Sequence, residues 1–594
     1  MGQSMRPSQF ITTYGPGAIL EGPNGPRVIN NIALSGILNH KPLDQLEIPD
    51  QRLSDSLLNG AGIIRLPTNA ELNIVETTHI YETRQFPAWS LCIKNNHNKL
   101  YKYYNNRGCP DCGPFANSYE GWLKSRKEAI RFVMACPNGH MDDVNWPALV
   151  RHKKKPCFPQ YLIWQGGGGA LKNVKIICPD CGGDFNLGSA YASEIDCTGY
   201  FPERNERQQC EASAKMMQRG ASNLRLPEII SSLTIPSRDT RLHQLLAHST
   251  IINILYTSNI TNKAELLEKL HALVQRNRLQ PNIYDEIARY DEELVVNAVK
   301  DVCEPINTQS EHDYRVTEFN ALQVAGTRGA PLQVSSTPGA PPLFEVIRHD
   351  VKIFKGPNGI PIRVTPVSRL RVVMVQLGYR RLDFNGQLVH TDHHDGIKQW
   401  YPGVETFGEG VFIDLAPENG AASIDHFQLK GDESKNWFEA FTHPSDYGIR
   451  PDIIEKNELH PVFVWWHTLS HRLISSLSID SGYSSASIRE RVFVKIDEND
   501  PTKATGGVLL YTTQPGGDGT LGGLIGLVPD FDKVLKRVFR NVDTCSNDPL
   551  CSEEKFGRDK LNGSACYVCQ FVSETSCEHR NMLLDRSLLM ENLP

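Results

Sequence analysis

The chain has 594 residues, of which 40% are hydrophobic and 22% charged, with a formal net charge of -6 at pH 7. That length exceeds what one cooperative core supports, and the composition excludes wholesale disorder, so several folded units are expected. The acidic balance excludes a uniformly basic nucleic-acid coat; any polyanion contact must come from local patches of Lys and Arg.

The opening residues Met1 to Phe10 lack a basic segment followed by an apolar stretch, and no apolar run approaches the ~20 residues needed to span a bilayer. The expectation is a cytoplasmic chain without membrane association. Its 15 cysteines are mostly clustered, and in a reducing compartment clustered thiols bind metal more often than they cross-link.

In chain order, residues 1–100 read as an N-terminal α+β domain. Thr13-Tyr14-Gly15-Pro16-Gly17-Ala18 forms a turn leading into apolar Ile19 and Leu20, and a second turn falls at Pro23-Asn24-Gly25. Residues 101–215 are dense in Cys, Gly and aromatics, as expected of a zinc-knuckle region with two metal sites. Residues 216–326 read as helical: Asn262 can cap, Glu265 follows three residues on, and Leu266, Leu267, Leu270, Leu273 and Val274 recur at helical spacing.

The Pro-, Gly- and Ser-rich stretch Thr327 to Pro342 reads as a linker or exposed loop, placed at 327–342. A β-rich domain is expected over 343–450, because Val351 to Phe354 and Ile360 to Val364 flank the turn Gly356-Pro357-Asn358-Gly359, and Leu370 to Leu377 adds a β-branched run. Residues 451–594 read as a C-terminal zinc-binding α/β domain, with a helix over Val462 to Leu477 and a strand over Val508 to Thr512 ending in Gly-rich 516–523. The fold class is therefore α+β multidomain, combining zinc-ribbon or knuckle modules, a helical segment, a mixed β-rich middle and that C-terminal domain.

About three structural zinc ions are expected. Cys109-Pro110-Asp111-Cys112 is a knuckle whose two intervening residues let both thiolates face one tetrahedral ion, with Gly113 relieving the turn. Its natural complement is Cys136-Pro137-Asn138-Gly139-His140. A second knuckle, Cys178-Pro179-Asp180-Cys181, is followed by Cys197 and Cys210. Near the C-terminus, Cys545, Cys551, Cys566 and Cys569 enclose one compact loop, with Cys577 the substitute for one of them. Iron–sulfur ligation is the alternative use of a four-thiolate set. Complete sets leave no open position for a substrate, so the zinc is expected to be structural. Cys92, Cys157 and Cys303 are isolated in sequence and receive no role.

Two basic patches are candidates for DNA phosphates. Lys533, Lys536, Arg537 and Arg540 form one stripe on a helix, and Arg151, Lys153, Lys154 and Lys155 cluster between two knuckles. No Gly-Lys dipeptide occurs anywhere, so no P-loop is present to hold a nucleotide's β- and γ-phosphates. The expectation is an accessory subunit with no catalytic residues, no ATPase motor and no small-molecule substrate. The rival reading is a nuclease or nucleotide hydrolase built around Asp518, His467 and His471.

Arg6-Pro7-Ser8-Gln9 with Thr13 to Ala18, the segment Ala135-Cys136-Pro137-Asn138-Gly139-His140-Met141-Asp142-Asp143, and the C-terminal block together resemble DrmB proteins of the DISARM anti-phage system. From His467-Thr468-Leu469-Ser470-His471 through Ser487 to Arg491, Tyr511, Pro515 to Gly523, and on to Cys566 and Cys569, the chain is similar to the zinc-binding domain appended to MrfA-type helicases. The resemblance implies a partner, the helicase-like ATPase DrmA, and a joint role in engaging foreign DNA while a methyltransferase marks self.

Overall fold

The computed structural model describes residues 5–591, except 23–24, 35–40, 76–80, 95–96, 103–108, 113–126, 167–168, 235–240, 247, 259, 291, 304–310, 328–331, 336–341, 348–349, 357–358, 417–430, 450–453, 455–457, 498, 515–521 and 558–559. Gly113 and Asp518 lie outside the described residues. The fold is α+β and multidomain, with helices and several sheets.

The chain forms two compact units, one from Met1–Asp50, Gly60–Ser231 and Met374–Val404, the other from Gln51–Asn59, Ser232–Val373 and Glu405–Pro594. The six consecutive segments expected from sequence, with borders at 100, 215, 326, 342 and 450, differ from this interleaved division. The reason lies in two strands, Pro361–Arg380 and Gln399–Leu415, within which the chain passes between units. Both are buried on nearly every residue, so neither shows the alternation that marks a strand with one solvated face.

Among the described residues the first unit contains a small two-stranded sheet, Tyr200–Phe201 with Glu206–Arg207, and three larger ones. An antiparallel three-stranded sheet joins Ile19–Gly22, Gly25–Ile29 and Thr83–Gln85. A six-stranded sheet runs in the order Asp184–Asn186, Lys175–Ile177, Tyr161–Gln165, Lys99–Lys102, Trp89–Cys92, Lys127–Ala129. A four-stranded sheet orders Glu194–Asp196, Ser213–Gln218, Phe132–Ala135 and Met141–Asp143. Trp146, Leu100, Leu162, Ile176 and Met216 are buried in one core that also takes in Cys136 and Cys178, so thiols form part of the packing. The Thr13 to Ala18 turn is held from within: Arg225 donates to the carbonyls of Thr13 and Pro16, both at 3.0 Å.

In the second unit, Arg241–Leu246, Ser249–Thr257, Lys263–Gln275, Pro281–Ala288 and Glu292–Cys303 form the helical cluster. The Asn262 side chain accepts from the Glu265 N–H at 2.8 Å, the expected cap, and Leu266 and Leu270 are fully buried. The hairpin also forms: Lys352–Lys355 pairs antiparallel with the start of Pro361–Arg380, and Gly356 N–H donates to Ile360 O at 2.7 Å. Part of the expected linker is strand, since Leu332–Ser335 pairs with Pro342–Val346.

The helix Pro461–Asp480 packs its buried Trp466, Leu469, Leu473 and Leu477 among residues of the strands Arg489–Ile496 and Ala504–Gln514. Among the described residues no helix is long and apolar enough to cross a membrane.

His460 caps this helix by accepting the Val462 N–H at its Nδ1, 3.1 Å away. Burial pushes its pKa down to about 4, against a partial upward pull from the Thr502 carbonyl. In the unfolded chain the ring titrates near ~6.5, so its contribution to stability is complete above that value and is lost as pH falls toward about 4. Unfolding free energies from denaturant melts are expected to fall across that window by up to about 3 kcal/mol more in the native chain than in His460→Asn, whose amide caps without titrating. Parallel pH profiles for the two would remove His460 from the account.

Candidate metal centres and their basic rims

Fourteen of the fifteen cysteines gather with histidines and one glutamate into five groups, each with its ligand atoms within 4.8 Å of one another. Every cysteine is free. The spacing discriminates between bare thiols and a metal cage. Around a tetrahedral zinc ion, two sulfurs lie about 3.8 Å apart, and a sulfur and an imidazole nitrogen about 3.6 Å apart.

The first group is Cys92, His97, Cys109 and Cys112. His97 Nδ1 is 3.6 Å from each of the three sulfurs, and Cys92 and Cys112 are 3.6 Å apart. Cys92 ends the strand Trp89–Cys92, while Cys109 and Cys112 sit on a single tight turn closed by the Cys112 N–H to Cys109 O bond at 3.1 Å.

The second group is Cys136, His140, Cys197 and Cys210. The turn from Cys136 to His140 folds back so that His140 Nδ1 comes 3.3 Å from Cys136 Sγ. Gly139 sits there at φ +85°, where an added Cβ would fall 2.1 Å from Val389, so no other residue fits. Burial first, then the Arg381 charge, lowers the His140 pKa and keeps the ring in the neutral form that ligates. Burial, together with Cys136 and Cys210, pushes the Cys197 thiol up to about 12 despite the Gly199 N–H. Crowded thiols resist joint ionisation until a cation shares the space.

The third group is His152, Cys157, Cys178 and Cys181. Cys178 and Cys181 lie on a knuckle closed by Cys178 N–H to Gly183 O at 2.8 Å. A Cβ on Gly183 would fall 2.3 Å from Arg151 O, so glycine lets the preceding loop seat against the knuckle. His152 bonds Pro147 O through Nε2 at 3.1 Å, which turns the Nδ1 lone pair toward Cys181 Sγ, 3.2 Å away. Desolvation raises the Cys181 thiol, but the Gly183 N–H, His152 and the Lys153 backbone outweigh it and bring the pKa to about 6.

The fourth group is Cys545, Cys551, Cys566 and Cys569, with sulfur pairs at 3.6, 3.6 and 3.8 Å. Desolvation notwithstanding, the Val568 N–H and the Cys545 and Cys551 thiols hold Cys566 at about 7. These distances and donor types fit closed zinc sites in all four groups.

The grouping departs from the sequence expectation in three ways. Cys109 and Cys112 meet Cys92 and His97, not Cys136 and His140; Cys178 and Cys181 meet His152 and Cys157, not Cys197 and Cys210; and Cys197 and Cys210 complete the Cys136 and His140 pair. The physical reason is that each knuckle is completed by a strand or loop neighbouring it in the sheets. Cys92 and Cys157, set aside as isolated, are ligand-positioned, and so are His97 and His152. One signal was present: Cys92 and His97 stand five residues apart, as do His152 and Cys157, each pair preceding a Cys-x-x-Cys knuckle. Cys303 alone stays outside the groups among the described residues.

Cys577 is placed away from the four-cysteine group, with His467, His471 and Glu490. His467 and His471 are fully buried. They are enclosed by protein groups; Asp518, the third residue of the hydrolase reading, lies outside the described residues.

The two basic patches differ in electrostatics. On the helix Phe531–Phe539 and its end, Lys533 pairs with Asp530 at 2.9 Å, Lys536 with Asp532 at 3.0 Å and Arg537 with Asp480 at 2.7 Å. Three of the four cations in the stripe are thus locally balanced, which weakens its field for phosphate. Arg151, Lys153, Lys154 and Lys155 are all exposed and form no ion pair among the described residues. They lie on the loop that carries the ligands His152 and Cys157, with Phe158 86% exposed just beyond.

Residues 6–226 match a family described as a domain of unknown function (DUF8724), and residues 469–570 match the MrfA Zn-binding domain. The latter range contains all four cysteines of the fourth group. The chain is similar to the DISARM protein DrmB of Bacillus paralicheniformis, with 29% identity over 543 residues that cover 86% of this chain and 88% of that protein. The resemblance noted on the Thr13 to Ala18 turn, the Cys136 to Asp143 segment and the C-terminal block therefore extends over most of the sequence.

Proposed function

We propose that the chain is a zinc-stabilised component of a DISARM-type anti-phage defence complex, which binds DNA in the cytoplasm beside a DrmA-like helicase/ATPase and has no motor of its own. The similarity to a DISARM DrmB protein supports the defence role. A reducing cytoplasm suits the free thiols. Four zinc ions, one in each cysteine-rich group, hold the surfaces in shape.

One observation carries the DNA reading: the loop Arg151 to Lys155 projects exposed cations that form no ion pair among the described residues, and His152 and Cys157 anchor it to a metal cage. A cage removes the loop's freedom before DNA arrives, so less ordering entropy opposes binding. Each cation that meets a phosphate releases condensed counterions and steepens the salt dependence.

The test uses full-length protein and labelled duplex and single-stranded DNA across a salt series. Lys153→Glu, Lys154→Glu and Lys155→Glu together are expected to lower affinity at least about tenfold and reduce the salt slope by about two to three. Lys533→Glu with Lys536→Glu is expected to act more weakly, because Asp530 and Asp532 already occupy those cations. Addition of a DrmA-like helicase/ATPase is expected to raise DNA affinity and ATP turnover together. Unaltered affinity and slope in the triple variant would remove the loop from DNA contact, and an ATPase indifferent to this chain would remove the partnership.

A further inference from the structure

Deep in the second unit, four electron-pair donors converge on one point. His467 and His471 stand one turn apart on the helix Pro461–Asp480, Glu490 lies on the strand Arg489–Ile496, and Cys577 belongs to the C-terminal segment. The first three are 0% exposed and Cys577 is 6% exposed.

Their hydrogen-bond partners fix what each offers. A carbonyl oxygen only accepts, so the bonds from His467 Nδ1 to Leu583 O at 3.3 Å and from His471 Nδ1 to Gln570 O at 2.8 Å require protons on both Nδ1 atoms. That leaves a lone pair on each Nε2 of the neutral rings. These two nitrogens face the same carboxylate oxygen, Glu490 Oε1, at 3.0 and 3.3 Å. The other carboxylate oxygen accepts from the Ser470 hydroxyl. Cys577 Sγ lies 3.2 Å from His467 Nε2 and accepts N–H groups from His579 and Asn581, both at 3.3 Å.

Two imine nitrogens, a carboxylate and a sulfur with donors at its back repel one another unless something positive lies between them. One divalent ion satisfies all four at once. A tetrahedral zinc ion sets nitrogen–oxygen edges of about 3.3 Å and sulfur–nitrogen edges of about 3.6 Å, within a few tenths of an ångström of the spacing here.

We propose that His467, His471, Glu490 and Cys577 bind a fifth divalent cation, of the zinc class, in a closed mixed-donor site that joins this helix, this strand and the C-terminal segment. Two imidazoles and a thiolate select a borderline metal over magnesium or calcium, which require oxygen ligands. With four protein donors, three of them 0% exposed, the site is structural rather than hydrolytic. It differs from the four-cysteine site of the same unit, and His467 and Cys577 fall outside residues 469–570, where the MrfA Zn-binding domain match lies. The proposal does not depend on DNA binding.

The decisive measurement is anomalous scattering at the zinc edge from crystals of the full chain, with metal content measured on the same protein. A peak within bonding distance of all four donor atoms, about 2.0–2.3 Å from each, is expected, in addition to one in each cysteine-rich group. Glu490→Gln and Cys577→Ser are each expected to lose one metal equivalent per chain and keep the rest. No peak at this position in a chain whose other groups are loaded would overturn the proposal and assign the cluster to protons. Should a variant fail to fold, the map of the native protein decides alone.

Discussion

Cys136→Ser is expected to strip one metal ion from the chain and cost the first unit its native packing, whereas Cys303→Ser changes stability by less than about 1 kcal/mol. Cys136 is 0% exposed and lies in the same core as Phe132, Met134 and Trp146. Its sulfur is a ligand and a packing element together. Apparent binding energies of structural zinc reach about 10–16 kcal/mol, against a whole-domain stability of about 5–15 kcal/mol, so loss of even part of the former can exceed the latter. Serine offers a hydroxyl that does not ionise at neutral pH, and it leaves Cys197 and Cys210 crowded against His140 without the cation that reconciles them.

The measurement is metal content alongside the near-ultraviolet circular dichroism of the Trp146 and Trp164 environment and the urea midpoint. Cys303, outside every group, controls for the loss of a thiol as such. Full metal content and an unchanged midpoint in Cys136→Ser would mean that this group is an ordinary cluster of buried thiols.

How far the sequence reveals these centres depends on whether a ligand's partner is local. Cys109 with Cys112, Cys178 with Cys181 and Cys566 with Cys569 are visible because two intervening residues bring both sulfurs to one side of a turn. Which ligands complete a knuckle is a property of sheet order. Cys92 ends a strand paired with Lys99–Lys102, and its sulfur meets that of Cys112, twenty residues away in sequence, at 3.6 Å. Local periodicity likewise found the helix Lys263–Gln275 with its Asn262 cap, and the amphipathic helix Phe531–Phe539. It found the twenty-residue strand Pro361–Arg380 only as two separate runs, Ile360 to Val364 and Leu370 to Leu377, because a strand buried along most of its length carries no alternation to join them. The cation stripe on Phe531–Phe539 was visible too, but Asp480, which neutralises Arg537, is more than fifty residues away in sequence.

Arg381→Met is expected to destabilise the first unit by about 3–5 kcal/mol, with the larger part of the loss recovered when Glu203→Gln is added. Arg381 is 0% exposed, and its guanidinium donates to Gly139 O at 2.9 Å, Leu224 O at 2.6 Å and Gly17 O at 3.2 Å. One side chain thereby joins the Thr13 to Ala18 turn to the Cys136 to His140 turn, two of the segments that carry the DrmB resemblance. Glu203 lies 3.7 Å away, 1% exposed, and accepts from the Tyr379 hydroxyl. Methionine fills the volume but takes from that buried carboxylate the guanidinium 3.7 Å away, a costly way to break a buried pair. Glutamine at position 203 removes the stranded charge and still accepts from Tyr379, so the double variant bears mainly the three vacated carbonyls. Arg381→Lys is expected to resemble methionine more than arginine, because a single ammonium cannot reach three carbonyls set in a fork. Urea midpoints of the two single variants and the double variant close the cycle. If the loss at Arg381 were the same with Glu203 or Gln at position 203, the pair would not be coupled, and the carbonyl bonds alone would account for the residue.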